Sequence, residues 1–145
     1  MPRETQDTVG KWIQDTFPGT DPESPRKSLR ALEEMVELCL ASGASQEQVY
    51  NTVCDCMLQD LRESGRHTRK GKQAPEKIPV EAADVLIVLY GVAHMRGFDL
   101  HDAVDSKMMI NRSRKWAARG DGTGYHIKED TPQNSDGEGE SKKST

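Results

Sequence analysis

Two groups of carboxylates stand out by their spacing. Glu33, Glu34 and Glu37 fall within five positions of one another. On a helix, at about 100° per residue, they occupy one stripe roughly 100° wide. Leu38 and Leu40 border the stripe, and Leu29, Leu32, Met35, Val36 and Cys39 fill most of the remaining circumference. Arg30 is within reach of Glu33 or Glu34, but no basic residue lies within a turn of Glu37. Three like charges at this spacing repel one another, and partial burial worsens the repulsion unless a cation is present. A solvated acidic helix face is the competing reading of the same pattern.

The second group is Glu81 and Asp84, also at i, i+3. The segment around them is Ala82, Ala83 and then Val85 to Ala93, apolar all the way round a helix. A cap can explain Glu81 but explains Asp84 poorly. Charges on so apolar a helix are costly unless they are paired or bound to metal. Packed face to face, the two groups make an all-oxygen cage for a hard divalent cation, magnesium or manganese. Di-iron bundles place a histidine where this chain has Asp84, which disfavours iron. His67, His94, His101 and His126 show no metal-ligand spacing.

The opposite charge comes from Lys107, Asn111 and Arg114. As i, i+4, i+7 of one helix they share a face about 60° wide. Lys and Arg bind phosphate oxygens, Arg through two arms, and Asn can donate to phosphate or to a sugar hydroxyl. A basic helix end that complements its own dipole is the plainer account of Arg114. Acidic and basic groups together suggest polyphosphate hydrolysis, with metal neutralising phosphate charge and activating a water. The chain has no GxxxxGK[ST] pattern to grip β and γ phosphates. The expected cut is therefore at the α-phosphorus, releasing pyrophosphate.

Five helices are expected to carry these residues. The first covers about Thr5 to Thr16. The second runs from Ser24 or Pro25 to Ser42, with Ser24 as N-cap and Pro25 at N1. The third opens on the capping pattern Ser45-Gln46-Glu47-Gln48 and ends near Gly65. A basic loop follows, Arg66 to Lys77. The fourth helix follows Pro79 and runs to about Arg96, with Gly97 at its end, and its composition predicts a central, buried helix. The fifth spans Leu100 to Ala118. No stretch shows strand periodicity. Residues 1–127 form one domain, and 128–145 read as a disordered polar tail.

The 145 residues carry a net charge of −4, which argues against a general nucleic-acid binder. The longest apolar run, Ala82 to Ala93, is too short to span a bilayer. The polar start, Met1 to Asp7, shows no signal peptide, and three cysteines fit buried reduced thiols; a cytoplasmic protein, in a bacterium or a phage-infected host cell, is expected. Hydrophobic residues are only 34% of the chain, so a second copy should complete the core. Trp12, Phe17, Tyr90 and Trp116 are the aromatics able to stack on a base, each also a natural core residue.

The blocks Leu32-Glu33-Glu34-Met35-Val36-Glu37-Leu38, Glu81-Ala82-Ala83-Asp84-Val85-Leu86 and Lys107 to Trp116 stand in the order EExxE, ExxD, K…NR.R.W. In this the chain resembles the MazG-like, all-α nucleoside triphosphate pyrophosphohydrolases. The resemblance implies a helical bundle completed in a homodimer or homotetramer. It implies that Glu34, Glu37, Glu81 and Asp84 bind Mg2+ with Glu33 assisting, and that Lys107, Asn111 and Arg114 contact the triphosphate. Arg114-Lys115-Trp116 followed by Gly124-Tyr125-His126 is similar to phage-type members directed at purine deoxynucleotides, with Trp12 a candidate base contact. The alternatives are a related dUTP or phosphoribosyl-ATP pyrophosphohydrolase, or a non-enzymatic helical dimerisation module in which the carboxylates are spectators.

Overall fold

The computed structural model describes residues 3–64 and 74–128. It is an all-α chain with one small hairpin: α1 (Gln6–Thr16), α2 (Arg26–Ala41), α3 (Gln46–Ser64), α4 (Ile78–Arg96), α5 (Leu100–Ser113), β1 (Trp116–Ala118) and β2 (Gly124–His126). The tail beyond Lys128 and residues 66–73 of the basic loop lie outside the described residues.

The helix ends follow local chemistry. Thr5 caps α1 reciprocally with Thr8: each backbone N–H donates to the other hydroxyl, at 2.8 and 3.2 Å. Ser45 and Gln48 form the equivalent pair for α3: the Ser45 N–H donates to the Gln48 side-chain oxygen at 2.8 Å, and the Gln48 N–H to the Ser45 hydroxyl at 3.1 Å. α2 begins one residue later than expected, with Pro25 as its N-cap, while the Ser24 hydroxyl accepts from the Arg26 N–H at 3.3 Å. Gly97 closes α4 in the left-handed region, φ 72°, where only glycine is unstrained.

α5 stops at Ser113, short of the expected Ala118. The indole N–H of Trp116 donates to the last-turn carbonyl of Asn111 at 2.8 Å, and the chain turns into β1. β1 pairs antiparallel with β2 in the register Trp116↔His126, Ala117↔Tyr125, Ala118↔Gly124. These three-residue strands are too short for period-two alternation to be visible in a sequence.

The chain divides into two compact units, residues 1–20 with 105–145 and residues 21–104. In the first, the segment after α1 meets the hairpin turn backbone to backbone. Gly122 N–H donates to the Pro18 carbonyl at 3.0 Å, and a Cβ on Gly19 would lie 2.0 Å from the Gly120 oxygen. In the second unit α2 packs on α3, and Arg96 at the end of α4 donates to the Ser42 carbonyl at 3.2 Å.

Among the described residues only two hydrophobic side chains are buried, Ala93 and Met108. The burial expected of α4 is therefore absent from the single chain: Val80, Ile87 and Val88 are each more than 60% exposed. At 19 residues, α4 is also long and apolar enough to cross a membrane by length and composition alone, more than the Ala82–Ala93 run suggested.

Candidate active site

In the unit of residues 21–104, α2 presents Arg30, Glu33, Glu34 and Glu37 along one stripe, and all four are exposed. Arg30 forks between two of the carboxylates. One guanidinium arm lies 2.5 Å from Glu33 Oε2, and the other bonds Glu34 Oε1. The hydrogen bond to Glu33 is the main cause that raises the Arg30 pKa; burial opposes it, and the charges of Glu34, Glu33 and Glu37 add to the rise. Glu37 makes no ion pair among the described residues.

Glu81 stands in the first turn of α4, where the helix dipole favours a negative charge. Asp84 follows one turn later. Both are exposed and without an ion pair among the described residues. The donor set is carboxylate oxygen throughout, which in chemistry suits a hard divalent cation. The geometry of the single chain does not gather it: among the described residues no three Asp, Glu, His or Cys side chains come together as a metal site requires.

In the other unit, Lys107 and Asn111 share a face of α5. Arg114 lies one residue past the helix, so the expected three-residue stripe becomes a pair followed by an off-helix arginine. Lys107 is exposed, while Asn111 is half-buried, with Nδ2 4.0 Å from Met108 Sδ. Lys107 and Arg114 make no ion pair among the described residues.

The other side of α5 anchors the N-terminal segment, a role not anticipated from the motif. Asp105 accepts the Glu4 backbone N–H at 2.8 Å. Arg112 donates to the Glu4 carboxylate through Nε at 3.1 Å and Nη2 at 3.0 Å, and the Thr8 hydroxyl adds a third bond at 2.7 Å. These bonds, Arg112 first and Thr8 next, pull the Glu4 pKa below the usual carboxylate range. The i, i+7 spacing of Asp105 and Arg112 was the available signal, but their partner lies about a hundred positions away.

Trp12 belongs to an aromatic cluster that joins α1 to the hairpin. Its ring meets Phe17 edge-on at 5.7 Å and Trp116 at 5.9 Å; Phe17 and Trp116 meet at 5.4 Å, and Trp116 meets His126 at 5.9 Å. Edge-to-face contacts of this kind favour packing beyond simple area burial. All four rings are half-buried, so Trp12 serves local packing first and keeps part of its surface open.

The chain is similar to two phage proteins. A dATP/dGTP diphosphohydrolase of Cyanophage S-2L is 44% identical over 55 residues, which cover 37% of this chain and 52% of that protein. A dATP/dGTP diphosphohydrolase of Salmonella phage PMBT28 is 45% identical over 47 residues, 32% of this chain and 16% of that protein. The chain thus spans about half the length of the first relative and about a sixth of the second. No family model matches the chain, and no solved structure does.

Proposed function

We propose that this chain is a MazG-like nucleoside triphosphate pyrophosphohydrolase that acts on purine deoxynucleotides, giving the monophosphate and pyrophosphate. The observation that carries this reading is the similarity to two separate dATP/dGTP diphosphohydrolases in a chain whose helices bear the acidic stripe of α2 and the acidic pair of α4.

Glu33, Glu34, Glu37, Glu81 and Asp84 are the residues that would hold Mg2+, with Mn2+ able to substitute. Such a cation supplies neutralisation of phosphate charge and a more acidic bound water. Lys107, Asn111 and Arg114 bind phosphate oxygens and orient the leaving pyrophosphate. Glu34 and Glu37 carry the catalytic step. Of these two, Glu37 is the one that accepts the proton of the attacking water in this reading, since the Arg30 guanidinium bonds Glu34 and not Glu37. Trp12, half-buried in the aromatic cluster, is the candidate base contact.

A second copy of the chain is part of this reading. Val85, Leu86, Ile87, Val88 and Tyr90 leave both sides of α4 exposed, and an apolar helix in this state is stable in water only when covered. A homodimer or homotetramer in the cytoplasm covers it with chemistry already present in the sequence.

A panel of nucleotides assayed for pyrophosphate release tests the proposal. dATP and dGTP should lead the panel, and free orthophosphate should be absent. Preference for dUTP or phosphoribosyl-ATP would move the chain to a related pyrophosphohydrolase. No turnover of any nucleotide with Mg2+ or Mn2+ would leave a non-enzymatic helical module.

A further inference from the structure

We propose that Arg30 is a substrate-binding residue that is exchanged between the acidic stripe and the triphosphate. It holds Glu33 and Glu34 before a cation arrives and passes to a phosphate once the cation takes those carboxylates. The inference rests on the reading of α2 as a cation-binding helix.

The geometry on α2 leads to it. Arg30 lies one turn before Glu33 and Glu34 and shares their stripe, and each arm of its guanidinium bonds a different carboxylate. The same oxygens cannot serve a guanidinium and a divalent cation equally well, so the two compete. The fork is also loosely held. The side chains of Arg30, Glu33 and Glu34 are each more than half exposed, and exposed ion pairs of this kind contribute little. A cation can therefore displace Arg30 at small cost. The released guanidinium has not moved away from the stripe, because its backbone is fixed in α2. It keeps a planar two-armed donor whose best remaining partner is the phosphate drawn to the cation. Lys107, Asn111 and Arg114 lie in the other unit, and on α2 Arg30 is the basic residue within one turn of Glu33 and Glu34, Arg26 lying a further turn back on the same face.

Two binding titrations test this without turnover. In the first, Mn2+ alone is titrated into nucleotide-free protein and free Mn2+ is followed by electron paramagnetic resonance. Arg30→Ala should bind Mn2+ roughly threefold to tenfold more tightly than wild type, since a competitor is gone. Lys27→Ala removes the same charge nearly one turn earlier and should change the affinity less than twofold. In the second, inorganic triphosphate is titrated in saturating Mn2+ by calorimetry. Arg30→Ala should weaken its binding about tenfold or more. Arg30→Lys, which keeps the charge but not the fork, should leave Mn2+ affinity near wild type and still weaken triphosphate. Equal effects of Arg30→Ala and Lys27→Ala on Mn2+ would overturn the competition. Tighter Mn2+ with unchanged triphosphate would overturn the exchange. Wild-type protein that binds no Mn2+ would remove the cation-binding reading of α2 itself, and the exchange with it.

Discussion

Arg112 closes a two-armed salt bridge on Glu4, with Nε 3.1 Å from Oε1 and Nη2 3.0 Å from Oε2. It ties the last turn of α5 to the segment just before α1 across more than a hundred positions. The Glu4 side chain is only 14% exposed, while Arg112 stays more open to water. Because the folded-state pKa of Glu4 is depressed, its contribution is fully present above the unfolded-state pKa. It is lost as pH falls through the folded value. Melting temperature should therefore fall as pH drops below the ordinary glutamate range. Glu4→Gln should lower the melting temperature at neutral pH and flatten that part of the acid limb. An acid limb identical in wild type and Glu4→Gln would show that the bridge contributes nothing.

The aromatic cluster makes a prediction about glycines. A Cβ on Gly124 would lie 2.5 Å from Phe17 Cε1 and from the Ala117 carbonyl oxygen, while a Cβ on Gly10 in α1 meets nothing within 4 Å. Gly124→Ala should destabilise by about 1–3 kcal/mol through overpacking. Gly10→Ala should stabilise by roughly 0.5–1 kcal/mol through helix propensity and lost chain entropy. Urea unfolding of both variants checks the sign of each.

Much of this fold was legible in the sequence because its signals are local. Thr5, the Ser45–Gln48 pair and Gly97 mark helix ends by hydrogen bonds to residues a few positions away. The end of α5 was not legible. Nothing between Arg114 and Arg119 breaks a helix; the turn comes instead from Trp116 bonding Asn111 and packing on Trp12 and Phe17, far back in the chain. Composition showed that α4 is apolar all round, but it cannot say what covers it, and within one chain little does. The carboxylates divide the same way. Their type and helical spacing could be read directly. Whether α2 and α4 bring them together depends on packing between helices, and within the described residues no such group forms.

Assembly should carry much of the stability. With Ala93 and Met108 the only buried hydrophobic side chains among the described residues, folding of the single chain has little core to drive it. The protein should behave as a dimer or tetramer in light scattering, with a melting temperature that rises with protein concentration. Ile87→Asp should shift it toward monomer and lower the melting temperature. A monodisperse, fully active wild-type monomer would contradict this.

The two halves of the proposed chemistry separate by mutation. Glu37→Gln keeps the shape of the side chain and should reduce kcat by at least a hundredfold with an unchanged far-ultraviolet spectrum. Lys107→Ala should raise KM for nucleotide about tenfold while leaving Mn2+ affinity within twofold, since its proposed partner is phosphate. Wild-type kinetics in Lys107→Ala would return that lysine to the solvated surface.

The central claim is which bond breaks, and hydrolysis of dATP or dGTP in heavy-oxygen water tests it most directly. Attack of water on the α-phosphorus places the label in the nucleoside monophosphate and leaves pyrophosphate unlabelled. Mass spectrometry of the two products should find one heavy oxygen per monophosphate. Label in pyrophosphate or in orthophosphate, with unlabelled nucleotide product, would contradict the account even if the protein proved to be a cation-dependent hydrolase.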